Sequence, residues 1–194
     1  MPKRVFLLFF CLLVAACGRP QPASFHSTDI TGADFGRQFA LTDHTGKPRT
    51  LADYRGKLVI LFFGYTSCPD VCPTTLSRFA EVVKAMGAEG SRVQVLFVTV
   101  DPARDTREKL ASYVPWFHPS FVGLYGDAAA TEATAREFKI FYARKELEGG
   151  TGYVIDHSAG SYVFDTQGRL RLYVKDEVSN ADLVADLGLL LAGK

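Results

Sequence analysis

Two apolar runs dominate the middle of the chain. Leu58 to Tyr65 is almost uninterrupted, and Val93 to Val100 repeats the pattern. Continuous runs of this length, as opposed to alternating ones, are expected of central strands covered on both faces. Between them Leu76, Phe79, Ala80, Val83 and Met86 recur at helical spacing. The pattern predicts a strand, helix, strand unit with parallel strands, ended by Asp101-Pro102. Pro73 cannot donate within a helix, so a separate turn is expected over 69–72, with the main helix starting near Pro73.

Upstream, Phe39 to Thr42 and the turn Asp43 to Gly46 suggest a short hairpin, followed by a loop from Leu51 to Lys57. Downstream, a helix is expected from Asp105 to Val114, a short apolar strand over Phe121 to Tyr125, and a helix capped by Asp127 through about Phe138. Beyond it the style changes. Tyr153 to Ser158 leads into a strand over Gly160 to Asp165, the turn Thr166 to Gly168 reverses the chain, and Leu170 to Val174 returns antiparallel. Asn180 then caps a closing helix ending near Leu191. A parallel half, an antiparallel half and flanking helices make up a thioredoxin-like α/β sandwich with a central mixed β-sheet. No internal repeat or low-complexity segment interrupts it.

The amino-terminal pattern is of another kind. Lys3 and Arg4 precede an apolar run from Val5 to Ala16, and small residues stand before Cys17. The run is shorter than the about 20 residues a membrane span needs, and Gly18 to Pro22 breaks it with polar and proline residues. It reads as a secretory signal over residues 1–16. Val14-Ala-Ala-Cys17 further resembles a bacterial lipobox, which would make Cys17 a lipidated amino terminus; the alternative is an ordinary signal peptide with a chance cysteine. Residues 17–31 then form a lipidated end and flexible tether, and residues 32–194 one domain. Loss of Lys3 and Arg4 leaves 20 basic against 21 acidic residues, a net charge of about −1. That balance implies no nucleic-acid partner.

Four cysteines are present. Cys11 leaves with the signal and Cys17 is modified, so the free sulfur chemistry converges on Cys68 and Cys72, spaced C-x-x-x-C at the carboxyl end of a buried strand. Open α/β sheets place functional crevices there. A helix amino terminus at Cys72 would lower its pKa and favour the thiolate. Outside the cytoplasm so close a pair tends to become a disulfide unless a reductant or a metal holds it. Among the four histidines, His26 lies in the tether, His44 in a polar turn and His118 in a surface loop. His157 lies just before the antiparallel half, where thioredoxins carry a cis-proline against their active cysteines. The nine prolines here end at Pro119.

Gly64 to Leu76, Asp101 to Thr106 and Asp156-His-Ser158 together resemble the Sco/SenC family of cytochrome oxidase assembly proteins, a likeness covering most of residues 35 to 190. The resemblance implies that Cys68 and Cys72 are copper-binding thiolates and His157 a distant third ligand. It implies a copper chaperone serving the binuclear copper centre of cytochrome c oxidase, with an oxidase subunit, a copper donor protein and a thiol reductant as partners. Ser67 stands where many members have histidine. Two thiolates and an imidazole make a soft site suited to cuprous copper; an open zinc site of the same ligands would recruit water. Asp70, Asp101 and Asp156 stand beside these residues as supporting or partner-facing carboxylates, or as solvated caps and loop groups. The alternative function is a thiol-disulfide oxidoreductase that uses the same pair to reduce the oxidase's copper-site cysteines or another extracytoplasmic protein. A lipid anchor would hold the domain at a bacterial cell membrane, in the periplasm or otherwise outside the cytoplasm.

Overall fold

A computed structural model describes residues 24–150 and 152–194. Its centre is β4 (Leu58–Gly64) beside β5 (Val93–Thr99), paired in parallel from Leu58 with Val93 to Gly64 with Thr99. Every residue of both strands is buried, the outcome expected of apolar runs covered on both faces. Between them runs α1 (Val71–Ala85), which buries Leu76, Phe79, Val82 and Val83. After β5 come α2 (Arg107–Phe117), β6 (Val122–Tyr125), which extends the parallel set, and α3 (Ala128–Glu137). Thr106 and Asp127 cap the two helices by accepting from Lys109 N and Ala130 N.

β9 (Ser161–Phe164) lies antiparallel on the other side of β4, and β10 (Leu170–Val174) is antiparallel to β9. Beyond β6, β2 (Ala40–Asp43) and β3 (Pro48–Thr50) form the expected hairpin. With β1 (Thr28–Asp29) the sheet has eight strands in the order β1-β10-β9-β4-β5-β6-β2-β3. The closing helix α4 (Asn180–Leu191) packs against α1. This is the thioredoxin-like sandwich with its mixed central sheet and flanking helices.

Four local features differ from the expectation. First, residues 26–30 join the domain: β1 pairs with β10, and the buried carboxylate of Asp186 accepts from His26 N and Ser27 N, both at 2.8 Å. Residues 26–30, expected in the tether, therefore belong to the folded domain. Second, α1 begins at Val71 with Pro73 inside its first turn, where a helix leaves its N–H groups unpaired and a missing donor costs nothing. Third, the cap of α4 is Ser179, whose hydroxyl accepts from Asp182 N at 3.1 Å, with Asn180 as the first helical residue. Fourth, Tyr153 to His157 does not feed directly into the main sheet. It is β8 (Tyr153–His157), and it pairs antiparallel with β7 (Tyr142–Glu146) in a separate two-stranded ribbon.

Candidate metal centre

The end of β4 and the start of α1 set the two thiols in place. Gly64 closes the strand, Tyr65 and Thr66 begin a turn in which Cys68 N donates to the Tyr65 carbonyl at 3.2 Å, and α1 lifts Cys72 into the interior. Cys72 is fully buried and Cys68 half-buried, both as free thiols. A Cβ on Gly64 would lie 2.7 Å from the Cys72 sulfur, so the bare glycine makes the space the thiol occupies.

His157 arrives from the far end of β8. Its Nε2 lies 3.5 Å from Cys72 Sγ, while its Nδ1 lies 2.9 Å from the Ser158 carbonyl oxygen. A carbonyl only accepts, so in the neutral ring Nδ1 carries the proton and Nε2 presents its lone pair toward the sulfurs. The edges of Phe62 and Tyr65 pack against the imidazole, with centroids at 6.2 and 5.9 Å. Donor atoms of Cys68, Cys72 and His157 all lie within 4.8 Å of one another, the one such group of three or more metal-ligating side chains among the described residues. Two sulfurs and one nitrogen favour a soft cation.

The electrostatics of Cys72 differ from the sequence expectation. Burial pushes its thiol well above the ordinary range, although a backbone N–H contact at Tyr65 opposes the shift. Desolvation outweighs the helix amino terminus because the sulfur is shut away from water at the second position of α1. The buried thiol is thus protonated until a cation or an oxidation step takes the place of its proton.

The three carboxylates are dispersed. Asp70 is exposed at the cap position of α1, where its side chain makes no cap hydrogen bond. Asp156 is exposed too, and strand alternation turns it away from His157. Asp101 is buried and touches none of the three donors; it accepts from the Tyr153 hydroxyl at 2.9 Å and from Arg104. The residue nearest in role to a support for the thiols is Asp105. This buried carboxylate accepts from Thr66 N at 2.9 Å, from Thr66 Oγ1 at 2.5 Å and from Thr99 Oγ1 at 2.6 Å, tying the turn before Cys68 to the end of β5. Its position one helical turn after Asp101 was the available signal. Tyr65 was also missed: its side chain, buried at the site, accepts from Ile155 N at 3.2 Å.

The remaining histidines are elsewhere. His26 pairs with Asp182 at 3.3 Å, and His118 lies 2.8 Å from Ser120 Oγ. His44 accepts from Gly123 N at 2.9 Å, and burial holds its pKa below the ordinary value against the pull of Asp43. Cys17 lies outside the described residues, among which no helix is long and apolar enough to cross a membrane.

Comparison with known proteins places this geometry. Residues 27–192 match the family model described as SCO1/SenC. The bovine mitochondrial protein SCO2 homolog is 41% identical over 132 residues, 67% of this chain and 50% of that protein. A SCO2-like protein of Rickettsia prowazekii is 35% identical over 150 residues, 77% of this chain and 73% of its own length. The chain spans about half the length of the mammalian SCO2 homologs it matches. Among solved structures, Bradyrhizobium japonicum ScoI with copper bound is 36% identical with a TM-score of 0.73, covering 81% of this chain and 99% of that one. Apo Sco1 from Thermus thermophilus is 37% identical with a TM-score of 0.74, covering 88% and 98%.

Proposed function

Because the chain belongs to the SCO1/SenC family, we propose that it is a membrane-anchored copper chaperone which binds one cuprous ion through Cys68, Cys72 and His157 and delivers it to the binuclear copper centre of cytochrome c oxidase. The observation that carries this reading is the convergence of three soft or borderline donors, from α1, its preceding turn and the β8 ribbon, within 4.8 Å. Three protein ligands suit a cargo that must leave, since a recipient's ligand can enter without first displacing a fourth. Cys68 is the more exposed sulfur, so exchange begins there, with the buried Cys72 released last. In this reading the partners are a copper donor, the oxidase subunit that holds the copper centre, and a reductant that keeps the thiols available. The Cys17 lipid holds the domain at a bacterial cell membrane, on the extracytoplasmic side.

The test is cuprous titration of the fully reduced mature chain. One ion per chain with sulfur and nitrogen scatterers in X-ray absorption is expected, and His157→Ala should lose the nitrogen and bind more weakly. Undiminished binding by a Cys68→Ala, Cys72→Ala double variant would place the site elsewhere.

A second reading, thiol-disulfide exchange, is favoured by the asymmetry of the pair. A half-exposed Cys68 thiolate can attack a target disulfide to form a mixed disulfide and release one target thiolate, which can take the proton of the buried Cys72 thiol; the Cys72 thiolate then displaces the second target sulfur. The products are a reduced target and a Cys68–Cys72 disulfide, which an external dithiol reductant returns to the free pair. A disulfide has no anionic sulfur to donate, so the oxidised protein should not hold copper. Equal tight binding by protein shown to contain the disulfide would overturn the shared use of the pair.

A further inference from the structure

His157 sits on a strand that the main sheet does not hold. β7 and β8 pair only with each other, so the register that fixes the thiols says nothing about the imidazole. An isolated two-stranded ribbon is marginal in water, and what it docks against decides where its end lies. Tyr153, Ile155 and His157 share one face of β8, and each meets a different group on the body. Ile155 is buried and donates its N–H to Tyr65. The Tyr153 hydroxyl donates to Asp101. Arg104 lies over the Tyr153 ring at 3.6 Å from its centroid, donates through Nη1 to the Tyr153 carbonyl at 2.8 Å and through Nε to Asp101. Arg144, from β7, stacks on the same ring at 3.8 Å.

We propose that Asp101, Arg104 and Tyr153 form a clamp that sets the reach of the His157 imidazole toward the two sulfurs, and so governs how tightly the third ligand retains the cargo. They are positioning residues: none touches the sulfurs or the imidazole, and all act through the β8 backbone. The inference rests on the reading that Cys68, Cys72 and His157 hold copper. A ligand works only when held within about half an ångström of its place. Asp101 is tied by its backbone to Asp105, which supports the turn before Cys68, but the Tyr153 hydroxyl meets only the Asp101 side chain. Removing that hydroxyl therefore loosens β8 and its imidazole while the thiol supports in α1 and Asp105 keep their bonds.

The experiment is a double-mutant cycle on the full chain, with cuprous affinity read by competition against a chromophoric chelator and the nitrogen scatterer by X-ray absorption. Tyr153→Phe keeps the ring and removes the bond to Asp101. It should weaken retention about tenfold and diminish the nitrogen signal, with circular dichroism reporting an intact fold. In a His157→Ala background the same change should alter affinity by less than about twofold, because the ligand it positions is gone. Wild-type retention by Tyr153→Phe, beside a normal loss in His157→Ala, would refute the clamp and leave the copper site standing. An equal loss in both backgrounds would also refute it. Wild-type affinity in His157→Ala would overturn the ligand assignment and the clamp together. Should Tyr153→Phe fail to fold, Arg144→Gln on the exposed side of the ribbon carries the same test, with a smaller loss that His157→Ala must abolish.

Discussion

Replacing Gly64 by alanine tests whether the bare backbone at the end of β4 exists to admit a sulfur. The glycine has no positive φ, so alanine is compatible with its backbone and the change is steric. The new methyl would lie 2.7 Å from Cys72 Sγ, 2.8 Å from Phe97 Cε2 and 3.2 Å from Phe62 Cε1. Ordinary carbon contacts are about 3.5–4.0 Å, so the sulfur and the Phe97 ring must each give by close to an ångström. Both are fully buried, and α1 is braced by α2 and α4. Overpacking of this kind costs about 1–3 kcal/mol, offset by about 0.5–1 kcal/mol from replacing a strand glycine. A net loss on the order of 1–2 kcal/mol follows, which for a domain of this size lowers the melting temperature by roughly 2–8 °C. Urea denaturation gives the first number. Cuprous affinity gives a second readout, because the displaced sulfur no longer meets His157 Nε2 at its present 3.5 Å. The penalty should shrink in a Cys72→Ala background, where the closest contact is gone. A Gly64→Ala protein as stable as the parent, with unchanged copper binding, would refute the argument.

Asp105→Ala should cost about 3 kcal/mol in chemical denaturation, since it strands the Thr66 amide and the Thr66 and Thr99 hydroxyls; a loss below about 1 kcal/mol would show that these groups find other partners. At Asp43, burial raises the carboxyl pKa, but bonds from Thr45, Lys47 N and Arg49 outweigh it and hold the group well below the usual carboxylate range. A depressed folded-state pKa contributes stability that is complete above the unfolded value of about 3.9 and is lost as pH falls toward the folded one. The gap in urea midpoint between wild type and Asp43→Asn should therefore be widest near neutrality and close in acid; a gap that widens on acidification would contradict the sign. Cys17→Ser should release the protein from the membrane fraction of a bacterial host or leave it misprocessed, because stable anchoring takes two acyl chains; an unchanged mature mass would rule out lipidation.

The sequence by itself determined the parts whose physics is local. The two apolar runs became β4 and β5 because strands covered on both faces have few alternatives. Asp127 stands at a helix start because its side chain satisfies an amide a few residues away. Cys68 and Cys72 were legible as a candidate site from their spacing at a strand end, and His157 from the missing loop proline together with the family likeness; the structure brings the three together. What only the tertiary structure decided involves partners far apart in the chain. β7 carries the polar run Tyr142 to Glu146, whose alternation is too weak to announce a strand; it is one because β8 returns beside it. Residues 26–30 read as tether, yet Asp186, some 160 positions away, accepts the amides of His26 and Ser27, and β10 pairs with Thr28 and Asp29. The thiol of Cys72 was expected to be activated by a helix terminus, a local effect, but the packing of β4 and α1 around it removes water and reverses the direction. Asp105, Tyr65 and the Asp101, Arg104, Tyr153 cluster stayed hidden for the same reason. Residue identity shows what a side chain can bond, while the fold alone decides which distant group it meets and how much water remains between them.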